Sequence, residues 1–237
     1  MTQYDRHKRA AKVFRNITSD PKNYLIIHYS CESFVDKKDG RTPRITTIAV
    51  RYFESCQTKT FSIHEVAEQS KISIDKIEEN YDQLESEMLM QYFDFVRKHE
   101  QYKWVHWNMR DSNYGFYAIE NRYKALGGQT IVISDDKKID LARILIDCYG
   151  RRYIEDPRME KLVDKNQMTK LGFLTGKEEA EAFENKQYIR LRNSTLRKVD
   201  LFYSIITLAA EGKLRTNAKW KDIYGVSIQG IYETLKE

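Results

Sequence analysis

The fold of this chain is decided by the stretch Tyr24-Leu-Ile-Ile-His-Tyr-Ser-Cys-Glu32, an apolar run that ends in polar residues. A short apolar run of this kind, bounded by polar segments, is typical of a buried strand. Alternate residues of a strand point to the same face, so Ser30 and Glu32 are predicted to look into one cleft at the end of the strand.

The composition predicts one domain of ordinary enzyme size. The chain has 237 residues, of which 41% are apolar, enough for one core and a helical appendage. It has no apolar run long enough to cross a bilayer and no hydrophobic leader at its start, so a cytoplasmic protein without a membrane partner is expected. Cys31, Cys56 and Cys148 are widely spaced and odd in number, which indicates reduced thiols rather than disulfides or a zinc site.

The charge of the chain is unevenly distributed. Residues 1–22 carry six Lys/Arg against two acids, and residues 186–221 carry nine against two. Residues 74–100 carry three against eight. This asymmetry fits a polyanion-facing surface built from both ends of the chain, and it fits equally a set of solvated helix faces.

The order of predicted elements indicates an α/β fold. Strands at 24–30, 44–53 and 59–63, joined by polar turn-rich links, predict a three-strand antiparallel meander. Apolar residues at steps of three or four predict a long helix over 74–95. The later elements alternate, in the order strand 102–108, helix 113–126, strand 130–133, helix 140–149 and helix 193–211. This order implies a mixed sheet, the meander plus parallel strands, flanked by helices.

Three parts of the chain are distinguished: a basic N-terminal segment at 1–21, the main domain at 22–212, and a helical C-terminal appendage at 213–237. The appendage has an apolar side that packs on the core or docks a protein partner. Its residues are Trp220, Tyr224, Ile228, Ile231 and Leu235.

The element order, with Glu32 at the end of the first strand, resembles the ribonuclease H-like fold of the DEDD exonuclease superfamily over roughly residues 22–211. The first motif of that family is Asp-x-Glu, and Ser30-Cys31-Glu32 stands in its place. The third motif is a His five residues before a last Asp, and Thr195-Leu-Arg-Lys-Val-Asp200 has this spacing with threonine in place of histidine.

The second family motif joins a strand ending in His-Asn to a helix opening with Phe-Asp-x-x-Phe. The segment His106-Trp-Asn-Met-Arg-Asp-Ser-Asn-Tyr-Gly-Phe116 is similar to it. Asn113 falls where the family has its Asp, three residues before Phe116.

The resemblance implies a site in which several carboxylates hold Mg²⁺ or Mn²⁺ and a histidine activates water. Glu32 and Asp200 remain as metal ligands, with Asp111 as an alternative. Neutral Ser30 and Asn113 bring no charge, and Thr195 cannot act as a base near neutral pH. The site is therefore expected to be catalytically degenerate.

Residues near the same motifs are predicted to bind single-stranded DNA or RNA. Aromatic rings would stack on unpaired bases, and basic groups would neutralise phosphates. A plain packing or solvation role is the alternative. The predicted binding residues are Trp107, Asn108, Arg110, Tyr114, Arg190, Arg192, Arg197 and Lys198.

Three functions are therefore open from the sequence. The first is a degenerate exonuclease-like domain that binds single-stranded nucleic acid. The second is an active metal-dependent 3'-5' exonuclease with a rearranged carboxylate set, and the third is a non-catalytic interaction subunit of a larger complex. The sequence contains no Walker phosphate loop, zinc-ligand spacing or Gly-x-Ser-x-Gly elbow, which disfavours ATPase, zinc-finger and serine-hydrolase functions.

Overall fold

A five-stranded mixed sheet lies at the centre of the computed structural model, which describes residues 1–33, 42–111 and 113–225. The strands are β1 (Tyr24–Cys31), β2 (Ile45–Tyr52), β3 (Thr58–Ser62), β4 (Lys103–His106) and β5 (Lys138–Asp140). Their order across the sheet is β3-β2-β1-β4-β5. The first three strands form an antiparallel meander, and β4 and β5 run parallel to β1. The predicted mixed sheet of ribonuclease H-like arrangement is confirmed.

Helices cover both faces of the sheet. In the described ranges they are α1 (Gln3–Ser19), α2 (Ile63–Gln69), α3 (Tyr81–Lys98), α4 (Phe116–Ala125), α5 (Leu141–Tyr149), α6 (Arg158–Lys165), α7 (Gly176–Glu184), α8 (Tyr188–Ala210) and α9 (Trp220–Tyr224). One core cluster joins the sheet to α2, α3 and α4, and a second joins it to α1, α5 and α8. None of these helices combines the length and apolarity that crossing a bilayer requires.

Strand β1 is buried on both faces because it lies in the middle of the sheet between these two helical layers. Leu25 and Ile27 belong to the first core cluster, whereas Tyr24 and Ile26 belong to the second. A strand covered on both sides needs apolar residues at every position, which explains the continuous run in the sequence.

The predicted fifth strand at residues 130–133 is wrong. The strand that pairs with β4 is Lys138–Asp140, with Trp104 opposite Lys138 and His106 opposite Asp140. Ile133 is buried against the core but makes no ladder pairing, so its apolar character reflects side-chain packing. Because β5 leads directly into α5, Asp140 also serves as the N-cap of that helix.

The starts of three predicted helices also differ from the structure. The helix expected over 113–126 begins at Phe116, because Gly115 has a φ of 149° and a Cβ there would lie 2.5 Å from the backbone of Met109. The helix expected over 74–95 begins at Tyr81, after two 3₁₀ turns. The helix expected from residue 193 begins already at Tyr188.

Both ends of the described chain pack on the α5 side of the molecule. The basic N-terminal segment is the helix α1, which buries Ala10, Phe14 and Ile17. The short helix α9 follows the main domain, and the ring of Tyr224 contacts that of His7 with centroids 5.1 Å apart. The predicted contacts of Ile228, Ile231 and Leu235 lie outside the described residues.

Candidate functional site

A cavity of about 410 Å³ lies at the carboxyl ends of β1 and β4, and we call it the edge pocket. Ligands of open α/β sheets bind outside the carboxyl ends of the strands, where the chain leaves the sheet in opposite directions. The volume falls in the range of small-ligand sites, roughly 300–1,000 Å³. Its walls come from residues 28–33, from Trp107, Asn108 and Tyr114, and from Met159, Gly176, Glu179, Ala180 and Lys198.

Ser30 and Glu32 both line the edge pocket, and both side chains are held by the protein. The Ser30 and Thr46 hydroxyl oxygens are 2.6 Å apart, and the Thr46 hydroxyl also donates to the Ser30 carbonyl oxygen at 3.1 Å. The Glu32 carboxylate accepts from the backbone N–H of Arg44 at 3.2 Å, and the Arg44 guanidinium lies 3.4 Å away. The same guanidinium also pairs with Glu78 at 2.7 Å, so Arg44 is shared between two carboxylates.

Lys198 enters the edge pocket from α8. Its ammonium lies 2.7 Å from a carboxylate oxygen of Glu179, and the two side chains are only 6% and 15% exposed. The Ser194 hydroxyl donates to the same oxygen at 2.8 Å. Burial, assisted by the Lys198 ammonium, holds the pKa of His28 well below its usual range. His28 is therefore neutral at pH 7, and the pocket contains no unbalanced charge from these groups.

Tyr29, Trp107 and Tyr114 line the edge pocket, and the last two each have one face covered by another ring. Tyr114 stacks on Tyr29 with centroids 4.7 Å apart and an interplanar angle of 13°. Trp107 stacks on Phe202 with centroids 5.6 Å apart and the same angle. These contacts fix both rings in the wall of the pocket.

Asp200 does not meet Glu32, so the predicted shared cation site is wrong. The Asp200 carboxylate pairs with Arg51 at 2.8 Å, and Arg51 lies opposite Ile26 in the sheet. Glu32 lies six residues further along the extended chain than Ile26, a distance of about 20 Å. On a helix two residues correspond to a rotation of about 200°, so Asp200 points away when Lys198 faces the pocket.

The residues at the other ligand and base positions of the family-like motifs do not line the edge pocket. Thr195 is fully buried, and its hydroxyl donates to the carbonyl oxygen of Leu191 at 2.9 Å. Asp111 and Asn113 are exposed in the loop before α4, where the Asp111 carboxylate accepts from the Asn113 N–H at 2.8 Å. Because α4 begins only at Phe116, Asn113 is not carried on a helix.

The second motif's histidine has a structural role. His106 is buried, and its Nδ1 accepts a hydrogen bond from the Met109 N–H at 3.2 Å. Burial lowers the pKa of His106 to about 4, against a smaller opposing effect of Asp140. The imidazole is thus neutral at pH 7 and holds the loop that follows β4.

The four predicted arginines do not line the edge pocket. Arg192 pairs with Glu65 at 2.6 Å, and Arg197 donates to the carbonyl oxygen of Leu171 at 2.8 Å. Arg190 lies at a separate cavity beside Ile74. Arg110 pairs with Asp140 at 2.5 Å and donates to Asn108 at 3.0 Å, next to the pocket. The predicted phosphate contacts of Arg190, Arg192 and Arg197 at this site are therefore wrong.

The donor set of the edge pocket does not fit a divalent cation. Mg²⁺ and Mn²⁺ need several oxygen ligands with negative charge among them. In the described ranges, no three His, Cys, Asp or Glu side chains come together in a metal-binding group. The pocket has two carboxylates: that of Glu179 is held by Lys198, and that of Glu32 contacts Arg44, which it shares with Glu78. The pocket thus lacks the set of several carboxylates that such a cation needs.

A second cavity, of about 820 Å³, adjoins the edge pocket and is lined by five arginines. Only one of them, Arg110, was predicted as a binding residue. The basic N-terminal segment gave a partial signal for Arg6. The other three are Arg143, Arg151 and Arg158. The sequence around them also contains Asp147, Glu155 and Asp156, so its net charge gives no sign of a basic site.

No protein-family model matches this sequence, and comparison with curated proteins gives no match. The membership of the DEDD exonuclease superfamily therefore stays a prediction. It rests on the strand order and on three partial motifs. All three segments contribute lining residues to the edge pocket, but only the first places residues there at the family's ligand positions, Ser30 and Glu32.

Proposed function

We propose that the edge pocket binds an unpaired base of single-stranded DNA or RNA and that the protein does not hydrolyse the strand. One observation carries the proposal: Trp107 and Tyr114 line a cavity at the carboxyl ends of β1 and β4 whose two carboxylates each already contact a cation, Glu32 with Arg44 and Glu179 with Lys198. Such a pocket offers rings and hydrogen-bonding groups to a base, and no charge for a cation.

Stacking supplies the affinity in this proposal. A base that stacks on an aromatic side chain gains about 1–3 kcal/mol, whatever its identity, because every base has a π face. Asn108 lines the pocket, and its side-chain oxygen already accepts from Arg110. Its amide N–H groups are left to donate to an acceptor on the base or sugar.

The lack of hydrolysis follows from Lys198. A two-metal mechanism requires cations close to the end of β1, held by several carboxylates. Lys198 shares the pocket with Glu32 and already holds the carboxylate of Glu179, which is therefore not available as a second cation ligand beside Glu32. An intracellular location, expected from the sequence, is part of the same proposal because single-stranded DNA and RNA are found inside the cell.

The test is a binding titration that also reports the integrity of the strand. Fluorescent single-stranded DNA and RNA are titrated with protein in Mg²⁺ and in Mn²⁺, with anisotropy for affinity and electrophoresis for length. We expect binding with intact strands. Tyr114→Leu should weaken binding about tenfold, equivalent to about 1.4 kcal/mol of lost stacking.

Tyr117→Leu is the matched control, because Tyr117 lies on α4 near the same loop but is 59% exposed and lines no part of the pocket. It should change affinity less than twofold. Thermal melting establishes that both variants fold, and Asn108→Ala gives a second probe on an exposed side chain. Equal affinities for wild type, Tyr114→Leu and Asn108→Ala would contradict base binding here. Cleavage that Glu32→Ala abolishes would support the active nuclease instead.

A further inference from the structure

The second cavity, which we call the arginine cavity, is built from four separated segments. Gln3 and Arg6 come from α1, and Arg143, Ile146 and Asp147 from α5. Arg110 follows β4, Arg151 follows α5, and Arg158 begins α6. These segments converge because α1 packs along α5 on the same face of the sheet.

The walls of this cavity are fixed by direct hydrogen bonds. The side-chain amide of Gln3 donates to the carbonyl oxygen of Asp147 at 3.1 Å, and Nδ1 of His7 donates to that of Cys148 at 2.7 Å. Ala10 and Phe14 bury the next turns of α1 in the core. These contacts hold Arg6 of α1 in the same cavity as Arg143 of α5.

The charge of the arginine cavity is not balanced by the protein. Within the described residues, Arg6, Arg143 and Arg151 form no salt bridge, although Asp147 shares the cavity with them. A guanidinium group stays charged at all physiological pH values, so these positive charges persist and repel one another. An anion is the species that relieves this repulsion.

Arg158 has a buried N–H group without a hydrogen-bond acceptor in the described residues. Its Nε is buried without a hydrogen-bond partner among the described residues, and the nearest carboxylate oxygen, of Asp156, is 3.6 Å away. That separation is beyond a hydrogen bond. Buried donors are almost always satisfied in proteins, so this N–H is open to an acceptor such as water or an anion.

We propose that the arginine cavity binds consecutive phosphate groups. Arginine forks match phosphate oxygens with two parallel hydrogen bonds, and the volume of about 820 Å³ is ample for more than one phosphate. The phosphates come from the backbone of a bound strand or from a free oligophosphate such as a nucleoside triphosphate.

The position of the cavity favours the strand as the source, a choice that rests on the proposed function. Arg110 and Asn108 are hydrogen-bonded to each other, and they line the arginine cavity and the edge pocket respectively. Similarly, of two consecutive residues of α6, Arg158 lines the arginine cavity and Met159 lines the edge pocket. A strand with a base in the edge pocket thus has its backbone directed towards the arginines.

The test compares two charge-matched triple variants. One carries Arg6→Gln, Arg143→Gln and Arg151→Gln in the arginine cavity. Inorganic tripolyphosphate binding is measured by calorimetry, and binding of a labelled single-stranded oligonucleotide by anisotropy over a range of salt concentrations. The cavity variant should bind both ligands at least tenfold more weakly. The slope of log K against log salt should fall by about 2 for three lost phosphate contacts on a single strand.

The control removes three charges from the opposite face, with Lys71→Gln, Lys98→Gln and Lys124→Gln, all at exposed positions. It should change either affinity less than twofold, and thermal melting should show that both variants fold. Equal losses in the two triple variants, or an oligonucleotide bound equally well without the arginines, would overturn the arginine cavity as a phosphate site. Tripolyphosphate binding that needs the arginines, without any oligonucleotide binding, would support the site and defeat only the proposed function.

Discussion

In the edge pocket, the ammonium of Lys198 lies 2.7 Å from Glu179 and is almost completely buried. In the adjoining arginine cavity, Arg6, Arg143 and Arg151 are exposed and, in the described part of the chain, have no salt bridge. The edge pocket is lined by two glutamates and one lysine, whereas the arginine cavity is lined by five arginines. Only the second has positive charge available for a ligand.

The comparison separates two uses of a basic residue. A buried cation with a partner contributes to folding, and its removal leaves the partner's charge unpaired in a poorly solvated place. An exposed cation without a partner contributes little to stability but attracts anions. Substitutions should therefore affect unfolding in one site and ligand affinity in the other.

The largest loss of stability is expected at the most deeply buried cation pair. Arg122 donates to the fully buried Glu85 at 2.9 and 2.6 Å. Arg122→Met leaves that carboxylate unpaired and should cost about 3–5 kcal/mol in urea unfolding. The pKa of Glu85 is already raised by burial, so the loss should be smaller at pH 5, where the unpaired carboxyl can take a proton. A cost below 1 kcal/mol would contradict the assignment.

Removal of the cation in the edge pocket should have the next largest effect. Lys198→Met leaves Glu179 partly buried without its partner, for about 1–3 kcal/mol of lost stability in urea unfolding. The salt dependence of oligonucleotide binding should not change, because a neutralised ammonium does not contact phosphates. If Lys198→Met instead reduced the salt dependence of oligonucleotide binding and left the free energy of unfolding unchanged, Lys198 would be a free cation that contacts phosphate.

Burial of His106 in its neutral form should make the free energy of unfolding about 1 kcal/mol lower at pH 5.5 than at pH 7. The pKa of His106 is about 4 in the folded protein and about 6.5 in the unfolded chain. Between these values only the unfolded chain takes up the proton, so stability falls as pH falls. His106→Asn retains an acceptor for Met109 and should reduce this loss of stability by about 1 kcal/mol in urea unfolding, while the contribution of His28, whose pKa is also lowered by burial, remains. An identical slope in the variant would refute the assignment to His106.

The smallest effect on stability is expected in the arginine cavity. Arg143→Gln removes an exposed charge that has no salt bridge in the described ranges, and it should change the free energy of unfolding by less than about 0.5 kcal/mol. The same substitution should still weaken tripolyphosphate binding measurably. A stability loss above 1.5 kcal/mol would show that Arg143 is a structural residue, and the contrast between the two cavities would fail.

The sheet could be predicted because its central strands have strong local patterns. Strand β1 is apolar throughout, and β2 and β3 are β-branched runs bounded by turns. Strand β5 has only three residues, Lys138–Asp140, and little pattern of its own, since its pairing with β4 decides its place. The segment at 130–133 has the apolar pattern of a strand because Ile133 packs against the core, although the segment pairs with no strand.

The site was harder to predict, for two physical reasons. The spacing of Thr195 and Asp200 matched a family motif, but spacing alone does not determine which side of a helix faces the sheet. In the structure that side carries Lys198. The arginines of the second cavity come from four segments, and the partner of Lys198, Glu179, lies on another helix, so neither relation is visible locally.

The measurement that tests the central claim most directly is anisotropy and electrophoresis on one sample of labelled single-stranded oligonucleotide with the protein and Mg²⁺ or Mn²⁺. Binding of an intact strand, weakened about tenfold by Tyr114→Leu and less than twofold by Tyr117→Leu, is the predicted result. A strand that remains unbound, or one that is shortened by wild type and spared by Glu32→Ala, would contradict the account.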